Sequence, residues 1–543
     1  MAFRAILAFV LSMLVIIVYD VFFVPKGHIP QKVQSEKAVS QEQKKVFQPA
    51  TPKIVPIKPL KVKPTQDLGK EVIVSTPLYK AVFCTNGAKI KDFLLKRYRQ
   101  TVDPHSPPVH LIRNNGILPL AIRFLHRQIP IDNINYQVDK PVLNLSKGGA
   151  PQTITFTASV SGLVIKKSFT FHSDDYRIDM KIQISNQGLQ AFSDNLIVFL
   201  ANKWPKKKDR YGFRGAIYYA DNKFSELKWE KIKGEIVKAG KFVWAGLTDK
   251  YFMTVITNTQ PKRSSFIVYR LSESRPSDSG EALVGEWLTP PLELKPNQVA
   301  NLNYLLYFGP KELDRLKKIG YHLDKAVHFG FFDTIAKWLL YVLKWFYKYT
   351  HNYGIAIIIL TLVIKILFWP LTHMSYESMQ RMQKLQPHIQ RLKEKYKDDK
   401  EALNRELMKL YKTYKVNPMG GCLPMILQIP VFFALYMALA YAIELRHAPF
   451  IMYLPFTHKL WLADLSAKDP YYITPILMGI SMFVQQKMTP STMDPSQAKF
   501  MHFMPIIFTF LFLNFPSGLV LYWFVNNLLS IVQQAYVNRK LGG

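Results

Sequence analysis

The chain has 543 residues, 49% of them hydrophobic, and a formal net charge of +33. That length allows two or more domains, and its two cysteines, Cys84 and Cys422, argue against a disulfide framework or a Cys-x-x-Cys metal site. The positive charge would suit phosphate binding. Basic residues beside membrane spans also set topology and meet anionic lipid, which accounts for the charge without direct sequence-specific nucleic-acid binding.

Residues 3–24 form an apolar run with Arg4 at its start and Asp20 near its end. A cleaved signal peptide would need a shorter apolar core and a small-residue cleavage site; the exit at 22–25 is Phe-Phe-Val-Pro, which favours an uncleaved transmembrane anchor over 1–24. Residues 25–70 are rich in Pro, Lys and Gln and predict an extended linker. From 71 to about 308 the pattern alternates with period two, as in 153–160, 163–171 and 176–184, punctuated by turn signals such as Asn86-Gly87. This predicts a large β-sandwich domain, over 71–325, placed outside the cytoplasm.

Residues 326–350 carry Lys337, Lys344 and Lys348 at helical spacing among Trp and Phe, the pattern of an amphipathic helix lying on a membrane. The alternative is a surface helix packed on the sandwich. Five apolar spans follow, at 353–371, 421–443, 471–488, 503–515 and 517–535. Between the first two, residues 372–420 read as a helical hairpin. Met379, Met382, Leu385, Ile389, Leu392 and Tyr396 form one seam, Leu403, Leu407, Leu410 and Tyr414 the other, with the turn at 397–400. The run from Arg381 to Lys415 is strongly basic, so the hairpin belongs in the cytoplasm. Alternate counting gives six spans with both termini inside, a core over 351–538 and a short cytoplasmic tail at 539–543.

Nucleotide, zinc-protease, serine-hydrolase and EF-hand motifs are absent from the sequence, which points away from an enzyme and implies no cofactor or metal. What stands out is polarity inside the spans. Lys365 is the one Lys or Arg well inside any of them, and placing a charge there costs on the order of 3 kcal/mol or more. Thr361 shares its helix face. Gln428 lies in the second core span, Gln485 and Gln486 in the third, and Tyr522, Asn526, Ser530 and Gln533 recur at three-and-four spacing in the last. Singly, such residues most often glue helices together. Lys365 itself either snorkels to the cytoplasmic interface, roughly 9 Å away, or faces a water-filled cavity. The converging polar faces favour the cavity.

Four motifs, NPMGGCLP at 417–424, ELRHAPF at 444–450, DPYYITP at 469–475 and FPSGLVLY at 515–522, resemble the YidC membrane-protein insertase family. Gly309-Pro310, His322, Asp324 and Lys344-Trp345 fit the same family. The anchor and large outer domain resemble its Gram-negative form, whose outer domain is a β-supersandwich of the sugar-mutarotase type. The resemblance implies a polytopic α-helical inner-membrane protein with a five-helix core enclosing a hydrophilic groove open to cytoplasm and lipid. It implies a groove lined by Lys365, Thr361, Gln428, Gln485, Tyr522, Trp523 and Asn526, with Lys365 where the family usually has Arg. It further implies a docking hairpin using Arg381, Lys384, Arg391, Lys393 and Lys395. The implied partners are nascent inner-membrane proteins, the Sec translocon, ribosomes or targeting factors transiently, and the phospholipid bilayer. Two other readings are a carbohydrate-active or carbohydrate-binding protein using the sandwich, which would need converging carboxylates, and a transporter, which would show internal repeats.

Overall fold

The computed structural model describes residues 69–112, 118–204, 213–271, 281–414, 416, 423–489 and 495–541. The chain divides into two compact units, Met1–Val62 and Lys63–Gly543, and every described residue falls in the second. The expected anchor at 1–24 and nearly all of the expected linker at 25–70 lie outside the described residues.

Alternating apolar residues become strands because successive side chains point to opposite faces of a sheet. Arg177–Asn186 shows this, burying Ile178, Met180, Ile182 and Ile184 while the residues between them stay more open. It pairs antiparallel with Leu163–Phe171 on one side and Val299–Pro310 on the other, inside a thirteen-stranded sheet. A five-stranded sheet runs in the order Pro108–Ile112, Lys89–Arg99, Tyr79–Cys84, Glu71–Ser75, Val142–Asn144. The Asn86-Gly87 turn signal falls between two of its strands, with Gly87 at φ 71°. Phe83 of this sheet packs against Phe156, Phe169 and Phe171 of the larger one, so the two sheets share an aromatic core. That is a sandwich.

After Pro310 the chain turns helical: α1 (Leu313–Ile319), two 3-10 turns, then α2 (Asp333–Thr350). The amphipathic helix therefore starts at Asp333 rather than 326, because Leu323–Ala326 and Gly330–Phe332 are single 3-10 turns. It buries Ala336, Leu339, Leu340 and Leu343 against α3 (Tyr353–Leu367) and α7 (Leu423–Tyr441), and leaves Trp338, Tyr341, Trp345 and Tyr349 exposed.

The span expected at 353–371 ends at Leu367. Trp369 starts α4 (Trp369–Lys384), bent 61° from α3, because Pro370 lacks an N–H and suits the first turn of a new helix better than the middle of an old one. The hairpin thus begins at Trp369, and its first arm is two helices, α4 and α5 (Gln386–Lys395), broken at Leu385 ahead of Pro387. Its second arm is α6 (Lys400–Thr413), capped by Asp399, whose side chain accepts from Glu401 N and Ala402 N. Met382, Leu385, Ile389 and Val416 close over Leu407, Leu410 and Tyr411, while the seam residue Tyr414 stays exposed beside His388.

The remaining helices are α8 (Ile473–Met488), α9 (Pro495–Phe512) and α10 (Ser517–Leu541). Where a fourth core span is expected at 503–515, α9 starts earlier and ends sooner, and α10 runs through most of the expected tail to Leu541. Among the described residues no single helix is long and apolar enough to cross a membrane; α3 and α4 together pass that test as a bent pair. α10 is the hub of the helical part, touching α3, α4, α7 and α8.

Candidate functional site

α3 starts where α2 stops: His351 adopts the left-handed conformation, and the Asn352 side chain accepts from Gly354 N at 2.8 Å and Ile355 N at 3.2 Å. This fixes which face of α3 turns inward. Ala356, Ile357, Leu360, Thr361, Ile364 and Lys365 are buried at three-and-four spacing, while Ile366 and Leu367 are 60% and 71% exposed. Isoleucine and leucine outside with lysine inside is the reverse of a water-soluble helix. The pattern continues on α8 (Ile476, Ile480) and α9 (Ile506, Phe510), whose outer faces are apolar and exposed, so the outer solvent suited to this bundle is hydrocarbon.

Lys365 is 8% exposed. Its Nζ donates to Ser530 Oγ at 2.6 Å and, weakly, to Asn526 Oδ1 at 3.5 Å, both on α10. Gln428 Nε2 of α7 donates to the same Asn526 oxygen at 3.3 Å. Three helices therefore converge on one ammonium through neutral partners. An ammonium has three protons to donate. Only two acceptors are at hand among the described residues, one of them distant.

The other expected groove residues take different places. Thr361 is buried, but its hydroxyl donates to its own helix at Ile357 O, 2.6 Å, one turn from Lys365. Tyr522 is buried one turn before Asn526 on α10. Trp523 sits in an aromatic wall with Phe432, Phe508 and Phe512, at ring separations of 4.7, 6.0 and 5.2 Å. Gln485 lies on α8, where its carbonyl accepts from Thr489. The polar contacts between α8 and α10 are separate ones, Asn527 to Ser481 at 3.2 Å and Thr489 to Gln534 at 3.4 Å. The structure thus gathers Lys365, Gln428, Asn526 and Ser530, and leaves Gln485 and Trp523 apart from that set. Ser530 was visible on the polar ladder of the last span; its role as the nearest partner of Lys365 was not. Gln533 extends the ladder, donating to Trp369 O at 3.3 Å at the α3–α4 bend.

On the hairpin, Lys384, Arg391 and Lys395 are exposed, with Lys395 Nζ 5.4 Å from the Tyr396 ring. Arg381 is exposed and pairs with Glu377 at 2.6 Å. Lys393 is half-buried.

A junction that the sequence did not announce joins the helices to the sandwich. Lys344 of α2 bonds Asp314 of α1 and reaches Glu444, past the end of α7, at 3.3 Å. Opposite charges raise the Lys344 pKa despite its burial, and burial raises that of Glu444. Arg446 donates to Arg99 O at 2.6 Å and lies 5.7 and 5.5 Å from the Tyr251 and Phe252 rings. The signal for this lay in two opposite charges two residues apart, Glu444 and Arg446, just past the apolar α7.

In the sandwich, the titratable pairs are scattered. His110 with Asp92, His126 with Asp194, and His172 with Asp179 lie at 2.7, 2.9 and 2.8 Å. Tyr269 donates to Glu286 at 2.6 Å. Among the described residues no group of three or more His, Cys, Asp or Glu side chains could hold a metal.

Two families match the chain: the 60Kd inner membrane protein over residues 345–542 and the YidC periplasmic domain over residues 71–342. A membrane protein insertase YidC from Geotalea uraniireducens is 44% identical over 543 residues, 99% of each chain. Its counterpart from Geobacter metallireducens is 41% identical over 544 residues, 99% of this chain and 98% of that one. A crystal structure of an active YidC insertase with its first transmembrane domain resolved aligns at TM-score 0.36 and 20% identity, covering 87% of this chain and 94% of the other.

Proposed function

The chain belongs to the YidC membrane protein insertase family, and from that premise we propose that newly made membrane proteins are received at Lys365 and released sideways into the bilayer. It is an insertase rather than an enzyme, and the carbohydrate-active alternative is not favoured. The observation that carries the proposal is the buried Lys365 ammonium, which donates to Ser530 and Asn526 with a proton to spare, while Gln428 donates to the same Asn526 oxygen.

An acidic or polar tail entering from the cytoplasm supplies the missing acceptor. Two unit charges about 4 Å apart gain about 4 kcal/mol at an effective dielectric near 20, before desolvation is subtracted. That retains a tail transiently without trapping it. Thr361, Gln485, Tyr522 and Trp523 line the wider groove in this reading, Trp523 as part of an apolar wall. The apolar segment of the substrate then follows the exposed faces of α3, α8 and α9 into hydrocarbon, so partitioning rather than ATP drives insertion.

Helix length helps. α3 has 15 residues and α8 has 16, about 22 and 24 Å at 1.5 Å per residue, against a hydrocarbon core of about 30 Å. Short spans thin the bilayer around them, which shortens the path a polar tail must cross. Six spans with both termini inside, a periplasmic supersandwich over 71–325 and a cytoplasmic hairpin complete the proposed topology. Arg381, Lys384, Arg391, Lys393 and Lys395 on the hairpin meet ribosomes or targeting factors, and the Sec translocon is the second partner.

Rescue of an insertase-depleted Gram-negative strain tests the reading. Wild type and Lys365→Arg support growth and insertion of small proteins with acidic tails, and Lys365→Glu does not. Normal insertion by Lys365→Glu would sink charge capture.

A further inference from the structure

Between α7 and α8 the chain forms a small antiparallel hairpin, Ile451–Tyr453 paired with Leu460–Leu462. Its base is rigid. Buried Asp469 accepts from Trp461 Nε1 at 3.0 Å, Tyr471 N at 3.0 Å, Thr474 N at 2.7 Å and Thr474 Oγ1 at 2.8 Å, tying one strand to the start of α8. Just before the other strand, Phe450 O accepts from Asn352 Nδ2 at 3.0 Å, where α2 meets α3.

The tip is built differently. Thr457 N donates to Leu454 O at 3.0 Å, closing a four-residue turn with Pro455 second and Phe456 third. Phe456 has φ 64°, the value that the third position of a type II turn requires and that glycine normally supplies. A bulky side chain there is a genuine outlier. The ring gains no packing in return: Phe456 is fully exposed, with Met452 and Tyr453 also exposed beside it. Strain and apolar exposure at one residue on a rigid stalk mean that the ring is held out for something outside the chain.

We propose that this tip inserts into the headgroup–acyl boundary of a phospholipid leaflet, as a second membrane contact beside α2. Continuity argues for lipid. The stalk is bonded to the α2–α3 junction, and α2 carries the exposed Trp338, Tyr341, Trp345 and Tyr349. Exposed Tyr471 and Tyr472 stand at the start of α8, with Lys468 Nζ donating to the Tyr472 hydroxyl at 3.2 Å. Aromatic rings and a lysine gathered at one end of apolar helices are what a membrane–water interface selects. The inference rests on the reading that α3, α7 and α8 lie in a bilayer.

A spin label at Phe456→Cys, in a full chain carrying Cys422→Ser, tests it in phosphatidylethanolamine–phosphatidylglycerol vesicles. The label is expected to be relaxed by oxygen in preference to a water-soluble nickel chelate. Equal access to nickel in vesicles would overturn the proposal. Phe456→Gly gives the complementary result: it removes the ring and relaxes the turn, so a label at Tyr453→Cys moves towards water while the melting temperature holds or rises. A label at an exposed α8 position, Ile480→Cys, reports separately on the bilayer reading. If it too favours nickel, that reading fails; if only the tip does, the hairpin proposal fails alone.

Discussion

Lys167 and Lys365 are both buried, neither has an ion pair among the described residues, and they differ in how their protons are used. Lys167, fully buried in the sandwich, donates to Gly87 O, Ala88 O and Leu120 O at 3.0, 2.7 and 2.6 Å, so all three protons are used. It is a structural lysine. Burial lowers its pKa to about 7, with neighbouring Lys89 adding to the effect. Unfolded, the same group titrates near 10.4. Between about pH 7 and that value the unfolded chain binds more protons than the native one, so stability rises with pH, by at most about 1.4 kcal/mol per pH unit. Denaturant unfolding of the full chain in detergent from pH 7 to 9 should show this rise, and Lys167→Met should flatten it. Lys311, lowered to about 8 by burial, leaves a residual slope of the same sign. Lys365 has an uncommitted proton, which makes its nearest partner informative. Ser530→Asp should place a carboxylate against the ammonium, worth about 4 kcal/mol at 4 Å and a dielectric near 20. A substrate tail must then displace it, and vesicle insertion of acidic-tailed substrates should fall roughly tenfold or more. Ser530→Ala should leave insertion intact. Equal behaviour of the two variants would remove Ser530 from the site.

At the scale of elements, close approach decides more than composition does. A Cβ added at Gly354 would lie 2.1 Å from Phe450 Cδ2 and 2.5 Å from its Cβ, which neither α3 nor the hairpin base can relieve without moving. Gly354→Ala should therefore cost about 1–3 kcal/mol, the usual range for overpacking, read as a lower melting temperature in detergent. Gly518→Ala, whose nearest atoms are at 3.1 and 3.3 Å, should cost less. The same contrast explains what could be read in the sequence. Period-two strands such as Arg177–Asn186 and the seam of Met382, Leu385 and Ile389 were legible because burial there follows local periodicity. The break at Phe368 was not, since hydropathy runs on through Leu371 and only Pro370 marks the new helix. Asn526 and Ser530 were legible as a polar face. Their pairing with a lysine more than 160 residues away in sequence was not, because helix register says nothing about which neighbour a face will meet.

For the molecule as a whole, the question is what makes sandwich and helices move together. Two charged contacts run through the 444–450 motif. Glu444 holds Lys344, which also bonds Asp314, so α1, α2 and the end of α7 share one charge cluster. Arg446 spans 347 residues of sequence to the carbonyl of Arg99, and its guanidinium lies over two rings of the sandwich. A hydrogen bond from a charged donor contributes about 1.5–3 kcal/mol, and a cation–π contact about 0.5–2 kcal/mol. Losing both should loosen the edge of the five-stranded sheet without unfolding its core. In Arg446→Ala, hydrogen exchange at the Gln100 N–H, which donates to Pro107 O at 2.9 Å, should therefore quicken roughly tenfold or more, since 1.4 kcal/mol is a factor of ten. Exchange in Arg177–Asn186, inside the larger sheet, should not change. Arg446→Lys should fall between, because lysine keeps the charge but loses the planar fork that both bonds a carbonyl and stacks on a ring. If both variants leave Gln100 protected, the sandwich is held by apolar contacts alone, and the charged half of the motif has no part in coupling the two layers of this protein.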